Sequence, residues 1–458
     1  MNHFGWLAIF RLGLVQSALG AIVVLTTSTL NRVMVVELSL PALLPGILVG
    51  LHYAVQISRP RMGHGSDVGG RSTPWIIGGM AVLGLGGLLG AIATAWMATH
   101  PVAGIATAVV AFVMVGLGVG ASGTSLLVLL AKRVAAQQRA GAATTVWMMM
   151  ILGFAVTAGI AGKLLDPYSP ERLIMVSGAV SALALVLTVL ALFRLEGHRE
   201  LPTAPPAKAG SADNRVLGFR EALAHVWAEP AARHFTVFVF VSMLAYSAQD
   251  LILEPFAGSV FGFTPGESTQ LSGVQHGGVL LGMLLVAFSG SRLARRWNVL
   301  QLSLRSWTIG GCLASGLALA GLVMAGLIGP TWPLKANVFL LGVATGAFSI
   351  AAIGSMMRLA TEGEAGREGV RMGLWGAAQA LAFGIGGLVG TAASDLSRML
   401  IGSTGAAYAA VFALEALMFC VAALLASRIG AQRPAISCPA GHSMPAPGVR
   451  EPLQRGMT

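Results

Sequence analysis

Phe235-Thr-Val-Phe-Val-Phe-Val-Ser-Met-Leu-Ala-Tyr-Ser-Ala-Gln249-Asp250-Leu-Ile-Leu-Glu254-Pro255 is an apolar run that carries two acids near its end. It is long enough to cross a bilayer as a helix, which takes roughly 20 residues. No Lys or Arg lies between Arg233 and Arg292 to neutralise the acids. Residues four apart share a helix face, so Asp250 and Glu254 point the same way. A charge at membrane depth is expensive, faces a cavity or a partner, and by default marks a functional site. Asp250, Glu254 and the neighbouring Gln249 are therefore binding candidates; the other reading places both acids at the outer interface, half in water.

Working outward, the whole chain repeats this pattern. Of 458 residues, 55% are hydrophobic and only 10% charged, against about a quarter charged in a soluble domain. Apolar segments recur near 8–30, 41–58, 74–97, 103–131, 143–162, 172–193, 234–256, 270–290, 301–326, 334–357, 372–393 and 404–427. The expectation is an all-α polytopic membrane protein with about twelve transmembrane helices. Met1–Phe10 lacks a basic region and a small-residue cleavage site, so the first span reads as retained.

The net charge of +11 follows from topology rather than from a nucleic-acid partner. With a cytoplasmic N-terminus, all but five of the 29 Lys and Arg fall on the cytoplasmic side. Arg32, Lys163, Arg172, Lys335 and Arg398 are the exceptions. This asymmetry is the positive-inside pattern and puts both termini in the cytoplasm. Cys312, Cys420 and Cys438 form no close pair, so neither a disulfide framework nor a zinc site is indicated.

The longest polar stretch separates the sixth and seventh spans. Leu201–Asn214 contains Pro202, Pro205, Pro206 and Gly210 and reads as a linker. Val216–Glu229 mixes Leu217, Phe219, Leu223, Val226 and Trp227 with Arg220, Glu221 and His225, the pattern of an interfacial amphipathic helix. The expected division is a six-helix half over 1–194, a linker over 195–233, a second six-helix half over 234–428 and a disordered cytoplasmic tail over 429–458.

Between the second and third spans the chain reads Gly63-His64-Gly65-Ser66-Asp67-Val68-Gly69-Gly70-Arg71. Gly63, Asp67, Gly70 and Arg71 resemble the loop signature of the major facilitator superfamily, in which two six-helix halves flank a central cavity. Val68 and Ser72 replace basic residues of that signature. The corresponding loop of the second half, from Gly290, has Ala294 in place of the acid. Glycine turns hold a carboxylate and a guanidinium at a helix end, where they can act as a conformational latch.

Three further strings resemble the PucC/LhaA family of light-harvesting complex assembly proteins, a bacteriochlorophyll-delivery branch of that superfamily. They are Thr29-Leu-Asn31-Arg32-Val-Met-Val-Val-Glu37-Leu38, the Gln249–Gly258 segment, and Gly373-Leu-Trp375-Gly-Ala-Ala-Gln379. His52–Gln56 and Arg59–Gly63 look closer to PucC than to LhaA. The resemblance implies a bacterial inner membrane, specifically the intracytoplasmic photosynthetic membrane. It implies lipids, antenna polypeptides and bacteriochlorophyll as partners, and assembly of an antenna complex as the role.

Against that background His52 and His276, in equivalent spans of the two halves, are candidate axial ligands to the pigment's magnesium. Hydrogen bonding to a neighbouring helix is the other reading. Trp375 could pad a pigment groove or simply pack. Arg32 is a candidate ion-pair partner for Asp250 or Glu254, and Glu415 is expected to be a structural hydrogen-bond partner. No phosphate loop, nucleophile–base pair or metal-ligand cluster points to an enzyme. The alternative function is a proton-coupled secondary transporter of a small amphipathic solute.

Overall fold

The computed structural model describes residues 4–56, 71–135, 138–196, 227–290, 296, 302–362 and 368–428. The linker and the tail thus lie almost wholly outside the described residues. So do Gly63, Asp67 and Gly70 of the loop signature. Arg71 is described and stands exposed just before a helix.

We number the helices in chain order. The first half holds α1 (Trp6–Glu37), α2 (Leu43–Val55), α3 (Thr73–Met97), α4 (Pro101–Arg133), α5 (Arg139–Leu165) and α6 (Pro170–Leu192). The second holds α7 (Pro230–Phe261), α8 (Pro265–Ser289), α9 (Leu304–Ile328), α10 (Leu334–Glu362), α11 (Glu368–Leu400) and α12 (Thr404–Arg428). Eleven contain windows long and apolar enough to cross a membrane, and α2 is shorter. Twelve crossings return the chain to the end where it began, called here the near end.

Helix starts are set by local chemistry. Pro occupies the first or second position of α3, α4, α6, α7 and α8, where its missing N–H is no loss. His100 and Pro101 therefore suffice to separate α3 from α4. Thr264 begins α8 with a full capping box, its hydroxyl accepting from the Glu267 amide while Glu267 accepts from the Thr264 amide.

Within the first half α1 packs on α5 and α6, and α3 on α4 and α6; in the second, α7 packs on α11 and α12, and α9 on α10 and α12. Lipid gives helices little hydrophobic reason to associate, so close approach through small residues matters more. Gly118 shows this: a Cβ there would lie 2.5 Å from the Leu83 amide nitrogen. The halves meet mainly along α5–α8 and α2–α11.

The first helix is longer than the expected 8–30. It runs on to Glu37 through two π-helical stretches, Leu25–Thr29 and Val33–Glu37, which bracket Asn31 and Arg32. Asn31 and Arg32, beyond the expected end of the span, are thus buried inside the bundle, while Glu37 reaches the surface.

Candidate functional site

The candidate site is a polar cavity between the halves. Thr27 and Ser28 of α1, Tyr53 of α2, Ser247 and Asp250 of α7 and His276 of α8 line it, together with apolar residues that include Phe154 and Phe383. Its volume is about 40 Å³. Asp250 Oδ1 accepts a hydrogen bond from Gln275 Nε2 at 3.3 Å.

His276 is fixed by its own helix. Its Nδ1 lies 2.8 Å from the Ser272 carbonyl. A carbonyl can only accept, so Nδ1 carries a proton, and in the neutral ring Nε2 then keeps the lone pair. The Phe154 ring meets the imidazole edge-on at 4.9 Å. The structure therefore brings Asp250 and His276 to one cavity, each from a different helix of the second half and facing elements of the first.

The other candidates lie elsewhere. His52 is buried, and its Nε2 accepts from Gln56 Nε2 at 2.8 Å. Its lone pair is thus already engaged, and its neighbour Tyr53, not His52, reaches the cavity. Trp375 is packed in the second half, edge-on to Phe235 at 4.9 Å, with its indole N–H toward the Ala232 carbonyl. It pads the α7–α11 contact and not a groove. Gln249 is wholly buried on α7, with neither side-chain polar atom hydrogen-bonded.

Glu254 is 2% exposed, and neither carboxyl oxygen has a hydrogen-bond partner. Ser28, Ser272 and the charge of Arg32 are its polar surroundings. Glu415 on α12 is likewise buried with both oxygens unpaired, so it does not make the structural hydrogen bond expected of it.

Arg32 corrects another expectation. It pairs with Glu37 at 3.0 Å, not with Asp250 or Glu254. Its second terminal nitrogen donates to the Phe263 carbonyl at 2.7 Å. The left-handed Gly262 (φ +70°) ends α7 and turns the chain so that Phe263 follows directly. Gly258 leaves room for the guanidinium: a Cβ there would sit 2.5 Å from Arg32 Nε. The pairing is local because the ion partner is five residues along the same helix.

Asn31, one residue earlier, donates from Nδ2 to the Leu251 carbonyl at 2.5 Å. Thr29 and Thr269 join hydroxyls at 3.0 Å beside it. The family-like strings Thr29–Leu38 and Gln249–Gly258, far apart in sequence, thus form one seam between the halves.

Two acids missed at the sequence level complete the far end. Asp395, in the last turns of α11, accepts from the backbone N–H groups of Ala42 and Leu43 at 3.0 and 2.8 Å. It caps the start of α2 from the opposite half. Asp166, at the end of α5, accepts from the Thr264 hydroxyl at 2.8 Å, at the start of α8. α5 corresponds to α11 and α8 to α2, so the halves exchange carboxylates symmetrically. The available signal was an acid at the far end of corresponding helices in both halves.

A two-half helical bundle with a polar cavity at its midline is the architecture of major facilitator superfamily transporters, and the chain has that fold. A crystal structure of a D-xylose-proton symporter matches with a TM-score of 0.69 at 13% identity, covering 93% of this chain and 97% of that one. Within this class the family described as PUCC protein matches residues 29–433, and the chain belongs to that family. It is 52% identical over 440 residues to the "Bacteriochlorophyll synthase 44.5 kDa chain" of Rhodobacter capsulatus, covering 95% of this chain and 98% of the relative. Identity to Protein PucC of Cereibacter sphaeroides is 30% over 450 residues, with 93% of each chain covered.

Proposed function

We propose that this chain is an integral membrane assembly factor for a bacterial light-harvesting complex, holding or delivering bacteriochlorophyll, antenna polypeptides or both. Family membership supports the setting. The observation that carries a role for the cavity is His276, whose Nδ1 is tied to the Ser272 carbonyl and whose Nε2, in the neutral ring, offers a lone pair at the interface of the halves. Such a nitrogen suits a pigment magnesium in donor type. The space does not suit the pigment: about 40 Å³ holds water and excludes a macrocycle. Pigment contact at His276 therefore belongs to a form in which the halves have parted.

The near end is taken as cytoplasmic, with both termini and the 195–233 segment on that side of the bacterial inner membrane. The transporter-type fold supports a role without chemistry on the cargo, although the 52%-identical relative bears a synthase name.

The test is an absorption spectrum of protein purified from a pigment-producing host that lacks antenna polypeptides. The expected result is a stoichiometric bacteriochlorophyll band, lost in His276→Ala and kept in the lipid-facing control Leu317→Ala. A colourless, folded wild-type protein would remove pigment from the proposal and leave polypeptide handling.

A second reading is favoured by Asp250, a membrane-depth carboxyl at the cavity. In that reading the chain moves a small amphipathic solute with protons. Flux that depends on the proton gradient and vanishes in Asp250→Asn would establish it, and gradient-independent behaviour would exclude it.

A further inference from the structure

Pro255 stands inside α7. In an α-helix the N–H of residue 255 would donate to the carbonyl of residue 251, and proline has no N–H to give. The Leu251 carbonyl is therefore deprived of its helical partner at a place where Leu251 is itself buried. Water is scarce there, and an unsatisfied backbone group inside a membrane bundle is costly. Asn31 supplies the missing donor from the other half, its Nδ2 lying 2.5 Å from that oxygen.

The match is specific in three respects. Asn31 is 1% exposed, so its amide is committed to the interior. The π-helical stretches on either side of the Leu30–Arg32 turn set the angle at which α1 presents it. The carbonyl it meets lies between Asp250 and Glu254, one residue after the first and three before the second.

We infer that Asn31 is a positioning residue: it replaces the amide that Pro255 lacks and thereby sets, from the first half, the orientation of the α7 segment bearing Asp250 and Glu254. When α1 and α7 separate, the Leu251 carbonyl loses its donor, so the register of the carboxyl pair is tied to the relative position of the halves. The use made of those carboxyls rests on the function proposed above; the substitution of one donor for another does not.

The test exploits that difference. Asn31→Leu keeps the heavy-atom count and branching of the side chain and removes the donor; Pro255→Ala returns a backbone N–H to α7. Thermal unfolding of the purified full-length protein in detergent is measured for each single variant and for the pair. The expected result is a lowered midpoint in Asn31→Leu and recovery of most of that loss in the Pro255→Ala background. Additive losses, or no loss in Asn31→Leu, would overturn the inference. If Asn31→Leu alone cannot be purified, recovery of folded protein in the double variant supports it, and failure of both overturns it.

Antenna absorbance in membranes of cells carrying the same variants reads the functional part separately. Rescue of stability without rescue of absorbance supports positioning from the first half, because the double variant satisfies the Leu251 carbonyl but has no link across the halves. Rescue of both keeps the amide replacement and overturns the positioning role.

Discussion

Asp395→Ala should loosen the far end of the molecule without unfolding it. The carboxylate accepts two backbone N–H groups at the start of α2, at 3.0 and 2.8 Å. Loss of a helix N-cap costs about 0.5–2 kcal/mol, and here two amides, one of them on buried Ala42, lose their acceptor, so the upper half of that range, about 1–2 kcal/mol, is expected. The contact exists only while α2 and α11 are together, so its loss penalises the closed arrangement selectively. An opening equilibrium should rise by a factor of roughly 5–30. Thr391 reports on this, because it is fully buried on α11 against Gly46 of α2. In protein whose native cysteines are replaced by serine, Thr391→Cys is labelled by maleimide only when the two helices part. Its labelling should accelerate by that factor in Asp395→Ala and by less in Asp395→Asn, which keeps one acceptor oxygen. A parallel measurement on protein that keeps Cys312 as its single cysteine, buried within the second half, separates opening from unfolding and should remain slow. Unchanged labelling at position 391, or equal acceleration at Cys312, would refute the cap as a closure contact.

Gly258→Ala should lower the melting temperature, because the added carbon meets the Arg32 guanidinium at 2.5–2.8 Å; a cost of about 1–3 kcal/mol is expected, and an unchanged melt would show that Arg32 moves freely. Glu415→Met should leave stability unchanged or raise it, since an apolar side chain of similar length removes an unpartnered buried carboxyl; a marked drop in the melt would show that the acid has a partner. Tyr168, in the α5–α6 connection outside the spans, has its phenol pushed up to about 12 by burial, with the charge of Glu37 second. The folded protein favours the neutral form, so this contribution is complete below pH 10 and is lost as pH rises toward 12. The phenolate absorbance difference between wild type and Tyr168→Phe should titrate near 12, and titration near 10 would contradict the burial.

The fold was legible because bilayer thickness imposes a minimum length on every span, and each helix falls at an expected span although α1 overruns its own and α2 is shorter. The break at His100-Pro101 was visible for the same reason that it works: proline starts helices cheaply and does not continue them. Asp250 and His276 could be selected singly, as polar residues that hydrocarbon disfavours, and the structure places both at one cavity. The contacts of Arg32 and Asn31 could not be selected. Both meet main-chain carbonyls, of Phe263 and Leu251, and a carbonyl has no letter in a sequence. Asp166 and Asp395 were passed over because each sits at a span end, where an acid is unremarked until its opposite helix start is known. His52 looked like the twin of His276 by position, but Gln56 one turn later takes its lone pair.

The exchange of carboxylates at the far end also has a consequence in time. The amides of Ala42 and Leu43 leave the ribosome early, while the acid that caps them follows 353 and 352 residues later. At about 5–20 residues per second the interval is roughly 20–70 s. Throughout it the first half holds an uncapped helix start at its far surface, and any factor that recognises bare helix amides has that interval in which to bind. The start of α2 thus receives its cap only once α11 has been made.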